Sequence, residues 1–167
     1  MNIITAYSSK SNINENIAEL KNQIGTFKTK FILFFASSNF EVENTAMKIK
    51  KVFADAEVAG CTTSGEIVSG KVLDNSIVAM AFDSTAIADM KIEVVENIKQ
   101  DTDGNIRKAF SAFENYFKIP MKDMDYKKYV GLILIDGLSG AEEKVIDKIG
   151  DLTNVIFIGG SAGDDLK

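Results

Sequence analysis

Three short stretches hold most of the residues in this sequence whose types and spacing suit chemistry. They are Gly60-Cys61-Thr62-Thr63-Ser64-Gly65-Glu66, Asp136-Gly137-Leu138-Ser139 and Gly159-Gly160-Ser161-Ala162-Gly163-Asp164-Asp165. The first and third each follow an apolar segment that reads as a strand. They are therefore expected as small-residue loops at the carboxyl ends of strands, where ligands of open α/β sheets gather. Glycines there let backbone N–H groups turn toward an anion, and Ser and Thr hydroxyls add donors. Asp136, Asp164 and Glu66 supply carboxylates that suit an ammonium group, so a zwitterion fits the set. The bland reading is that the glycines serve tight turns and that Asp136 bonds its own turn amides.

Other chemistry is limited by what is missing. The chain has no histidine, which removes Ser-His-Asp and Cys-His catalysis and histidine metal sites from these residues. Its one cysteine, Cys61, cannot form an internal disulfide or a multi-cysteine zinc site. Activating Cys61 as a nucleophile needs a base or a local positive field, so a small packed side chain is its simpler role. The carboxylates could hold a hard cation, yet no Asp-x-Asp-x-Asp loop is present, and no metal or cofactor is expected. Neither glycine stretch has the spacing of a Walker A or dinucleotide fingerprint. An enzyme using Cys61, or Asp136 and Asp164 around a metal, remains an alternative, as does a purely structural interaction domain.

Positioning these stretches requires a sizeable core. At 167 residues, with 46% hydrophobic and 26% charged, the composition is that of an ordinary globular domain. The formal net charge of −5 and the lack of a basic block argue against a nucleic-acid partner. The N-terminus has no signal-like segment, and the apolar runs fall far short of the ~20 residues of a membrane helix. A cytoplasmic location without membrane insertion is expected. The single proline, Pro120, marks no linker, so one domain over 1–167 is expected.

Strands are predicted at Ile3–Tyr7, Phe31–Ala36, Glu57–Cys61, Met90–Val95, Tyr129–Ile135 and Val155–Ile158. A hairpin is predicted from Ile67–Val72 and Ile77–Phe82, turning at Asp74-Asn75. Helices are predicted from the stripes Ile13/Ile17/Leu20/Ile24, Val42/Ala46/Ile49/Phe53, Ile106/Phe110/Phe113/Phe117 and Val145/Ile149/Leu152. Thr102 or Asp103 is the expected cap of the third. Ser38 with Glu41 and Ser139 with Glu142 have capping-box spacing. Ile32, Ser38 and Glu41 thus find counterparts 101 positions later at Ile133, Ser139 and Glu142, and Gly60 corresponds to Gly159. The expected architecture is α/β: a mixed, largely buried sheet with helices on its faces, built from two βαβ-like repeats plus the hairpin.

Val58-Ala59-Gly60-Cys61-Thr62-Thr63-Ser64-Gly65-Glu66-Ile67, then Asp136-Gly137-Leu138-Ser139-Gly140-Ala141-Glu142-Glu143, then Ile158-Gly159-Gly160-Ser161-Ala162-Gly163-Asp164-Asp165 resemble, in order and spacing, the signature blocks of the FIST N domain. The similarity runs from about Phe31 to the end of the chain. The resemblance implies an intracellular sensory domain of signal transduction that binds a small, amino-acid-like ligand. It implies partners too: a C-terminal FIST C companion domain and signalling output domains. It transfers no catalytic residue. The sequence stops where family members continue into further strands, so the domain is expected to be incomplete at its C-terminus and the companion absent.

Overall fold

A computed structural model describes residues 2–163. They fall into two compact units, residues 2–90 with Gly163, and Lys91–Ala162.

The first unit contains β1 (Ile3–Ser8), α1 (Ile13–Ile24), β2 (Phe31–Ser37), α2 (Val42–Val52), β3 (Glu57–Thr63), β4 (Glu66–Val68), β5 (Lys71–Leu73) and β6 (Ile77–Phe82). Its sheet has the order β1-β6-β2-β3; β2 and β3 are parallel, and β6 runs antiparallel to both of its neighbours. The continuous apolar run Phe31–Ala36 suits a strand with a neighbour on each side and cover on both faces. Ile32, Phe34 and Ala36 pack with Ala79, Ala81, Ile17, Leu20 and Ile49 in one core. The α1 stripe ends as predicted, because Gly25 takes a left-handed φ of 60° that other residues resist. Asn12 caps its start by accepting from Asn14 N at 2.8 Å.

The second unit contains α3 (Thr102–Phe117), β7 (Val130–Asp136), α4 (Glu142–Leu152) and β8 (Ile156–Ala162), with short 3-10 turns at Met121–Asp123 and Gly137–Ser139. β7 and β8 form a parallel pair. Ile106, Phe110, Val145, Ile149 and Ile135 form its core, where Phe110 stacks on Phe157 at 6.0 Å between centroids.

The class is α/β with two β-α-β units, as the sequence predicts. Several details differ. The hairpin pairs β4 with β5, turning at Ser69-Gly70, while Ile77–Phe82 is inserted between β1 and β2. Alternation identifies a strand but carries no address for its partner. Met90–Val95 forms no strand; no ladder takes up its backbone groups, and alternation alone does not supply one. Neither capping box closes. Glu41, without a side-chain cap bond, is the N-cap of α2, and Ala141 that of α4. Ser139 Oγ instead accepts from Ala141 N at 3.2 Å, a local turn that competes with the cap. The cap of α3 is Asp101, one residue before Thr102, accepting from Gly104 N at 3.0 Å. β7 is also less covered than a strand buried on both faces, with Val130 and Leu132 exposed.

The repeat is real in geometry, with a shifted register. β2 and β7 start 99 positions apart, as do β3 and β8, at Phe31/Val130 and Glu57/Ile156. Phe34 faces Gly60 and Ile133 faces Gly159 across the parallel pairs. Ile133 is therefore the counterpart of Phe34, not of Ile32. Gly60 and Gly159 correspond as expected.

Candidate functional site

The two glycine-rich stretches are more strand than loop. Gly60, Cys61, Thr62 and Thr63 lie within β3, and Gly159, Gly160, Ser161 and Ala162 within β8. The predicted strand Glu57–Cys61 takes in Gly60 and Cys61, while Thr62, Thr63 and Gly159–Ala162 read as loop because glycine and small polar residues are depleted in strands; packing decides otherwise. A Cβ at Gly60 would collide with the carbonyl oxygen and ring of Phe34, and one at Gly159 with the carbonyl oxygen of Ile133. Gly159 also holds a φ of 153°. These glycines admit a bulky neighbour on the adjoining strand.

At the end of β3 the chain turns through Ser64 and Gly65, both exposed, into Glu66 at the start of β4. The Glu66 carboxylate is 1% exposed and is held by three donors. Thr63 Oγ1 donates at 2.6 Å, Ser76 N at 3.2 Å, and the Ser76 hydroxyl donates as well. A buried carboxylate with such a donor set is a satisfied structural group. It ties the β3 turn to the start of β6. Ser76, an unremarked turn residue in sequence, completes it. Gly163 lies against Ser64, where an added Cβ would come within 2.8 Å of Oγ.

The second unit gathers more at its strand ends. Asp136 closes β7 on the surface, and its Oδ1 accepts from Leu138 N at 2.9 Å. Gly137 follows in close contact with β8, where a Cβ would approach the Ala162 carbonyl oxygen to 2.8 Å. Ser161 Oγ donates to Glu142 Oε1 at 3.0 Å. Asp136, Gly137, Ser161 and Glu142 therefore stand at one end of the β7/β8 pair, while Ser139 is buried in its turn. Glu142, which the sequence assigned to capping, becomes a site candidate by geometry, since its capping partner Ser139 bonds elsewhere. Asp164 lies outside the described residues.

Cys61 is half-buried, and burial pushes its thiol above the ordinary cysteine value. At neutral pH it stays protonated, which works against a nucleophilic role. Among the described residues, no group of three or more His, Cys, Asp or Glu is placed to hold a metal ion. A cleft of about 300 Å³ opens elsewhere in the first unit, between the starts of α1 and α2, lined by Asn12, Asn14, Asn39, Glu41, Asn44 and Thr45. A second, of about 340 Å³, lies by Glu93, Val95, Asn105 and Lys108. None of the predicted site residues lines either. No helix among the described residues is long and apolar enough to cross a membrane.

No curated protein matches the chain. The FIST N domain family model matches residues 30–167, which takes in both β-α-β units and all three signature stretches. The chain belongs to the FIST N domain family, a family of sensory domains of signal transduction.

Proposed function

We propose that residues 1–167 act as one cytoplasmic sensory domain that binds a small, amino-acid-like ligand. Occupancy is relayed to a FIST C companion domain and from there to a signalling output domain. The observation that carries the ligand class is the group at the ends of β7 and β8. Two surface-facing carboxylate side chains, Asp136 and Glu142, stand there with the Ser161 hydroxyl. Each carboxylate accepts through two oxygens, so the hydrogen bonds to Leu138 N and Ser161 Oγ leave acceptor capacity for an ammonium. Signalling then requires that the ligand bind one arrangement of the sensor more tightly than another.

A thermal-shift screen against the amino acids tests this reading. A ligand present at a hundred times its Kd stabilises the folded state by about 2.7 kcal/mol, a clear rise in melting temperature. Asp136→Asn removes that rise. Failure of every amino acid to stabilise the chain at millimolar concentration overturns the reading.

A further inference from the structure

The polar side chains of α1 bond the backbone of β1 in a repeating way. Asn16, Glu19 and Gln23 stand at i, i+3 and i+7 of the helix and so share one face, beside the apolar stripe of Ile17, Leu20 and Ile24. Gln23 meets Tyr7 with both ends of its amide: Oε1 accepts from Tyr7 N at 3.1 Å, and Nε2 donates to Tyr7 O at 2.7 Å. Asn16, fully buried, does the same at Lys10, just past the strand. Its Oδ1 accepts from Lys10 N at 2.8 Å and its Nδ2 donates to Lys10 O at 2.9 Å. Between them, Glu19 accepts from the Ser8 hydroxyl at 2.6 Å and lies 3.8 Å from Lys10 Nζ.

A side-chain amide offers the same N–H and C=O pair as a peptide unit. In an antiparallel ladder, two opposed residues exchange both of their N–H···O bonds, and Gln23 makes that exchange with Tyr7. The strand it meets is of a kind that invites pairing. Ile3-Ile4-Thr5-Ala6-Tyr7-Ser8 is rich in β-branched and aromatic residues and holds no charge and no proline, the usual means of blunting an edge. We infer that the polar stripe of α1 stands in for a further strand and guards β1 against strand addition by a second copy of the chain. With two β1 strands antiparallel about Thr5, Ile3 faces Tyr7 and Ile4 faces Ala6, a register with no like charges to oppose it. That register needs the N–H and carbonyl of Tyr7, and Gln23 holds both.

Amide hydrogen exchange on the 167-residue chain reads the guard residue by residue. Gln23 is exposed and helical, so Gln23→Ala keeps the helix. It should speed exchange at the Tyr7 amide about tenfold, the effect of losing one hydrogen bond, while Ala79 and Ala81 of β6 keep their rates. Sedimentation equilibrium reads the consequence. Gln23→Ala should show a higher mass than the wild-type chain at the same concentration. Adding Thr5→Lys, a charge at an exposed position in the middle of the edge, should return it to the wild-type mass. An unchanged Tyr7 rate overturns the proposal, because the amide pair is then not what protects that edge. So does a freed Tyr7 amide with no gain in mass, or a gain that Thr5→Lys leaves intact, since association then runs through another surface. No ligand enters these readings, so they fail or hold separately from the sensing proposal.

Discussion

The β2-α2-β3 and β7-α4-β8 segments are two versions of one plan with different surroundings. Each has seven-residue parallel strands and an eleven-residue helix. Four residues join β2 to α2 and five join β7 to α4; after the helices the connections are four and three, so the strands return to the same spacing. Both place a glycine of the second strand opposite a large side chain of the first, Gly60 by Phe34 and Gly159 by Ile133. What differs is completion. β2 is covered on its far edge by β6 and sits in the core, whereas β7 has only β8 as a paired neighbour among the described residues. Equivalent residues can thus be core in one copy and surface in the other, and the deciding factor is the neighbour, not the strand's own sequence.

Core truncation breaks this comparison most strongly. Phe34→Ala, at a side chain 1% exposed, is expected to cost about 3–5 kcal/mol, as large cavities in cores do. Ile133→Ala, at the half-buried equivalent, should cost less, about 2 kcal/mol. Urea unfolding monitored by circular dichroism compares them, and equal losses would contradict the difference in cover. The next effect tests the likeness. Gly60→Ala and Gly159→Ala should both destabilise, by about 1–3 kcal/mol, because each added Cβ meets backbone of the adjoining strand. A neutral result at either position in the same experiment would end the claim that the glycines are matched packing sites.

Glu66→Ala probes a buried carboxylate that, among the described residues, belongs to the first unit. It strips the partner from buried Ser76 and from Thr63, for an expected loss of about 1–3 kcal/mol, read as a lower melting temperature. The smallest effect is confined to the second unit. Asp103 bonds Lys148 and Arg107, and these cations hold its carboxyl below the usual carboxylate range. A group with a lowered folded-state value contributes stability above the ordinary carboxylate value and loses it as pH falls through the lowered one. Asp103→Asn should therefore lower the melting temperature slightly at neutral pH, a small effect because the ion pairs are on the surface, and leave it unchanged at acid pH, which flattens the acid limb of the profile.

Much of this architecture can be read without coordinates. The α1 stripe with its Gly25 stop, the apolar run of β2 and the aromatic stripe of α3 all appear where periodicity puts them. Capping boxes were misleading, because Ser139 satisfied a nearer amide in its own turn. The small-residue stretches kept their place in the order of the chain but changed structural kind. Gly60–Thr63 and Gly159–Ala162 carry the composition of loops, and it is the bulk of Phe34 and the backbone at Ile133 that make glycine the fitting strand residue there. Glu142 and Ser76 were invisible as site and support because their partners, Ser161 and Glu66, are 19 and 10 residues away.

Composition and periodicity by themselves determined the helices and most of the strands, the α/β class, the paired β-α-β units and the absence of histidine chemistry. These follow from side-chain type and local spacing, which any stretch of chain carries with it. Tertiary structure alone decided that β6 sits between β1 and β2, that Glu66 is a buried strut, and that Asp136 and Glu142 share one strand end. Each of those depends on which distant backbone or side chain supplies the partner, and nothing local encodes that choice.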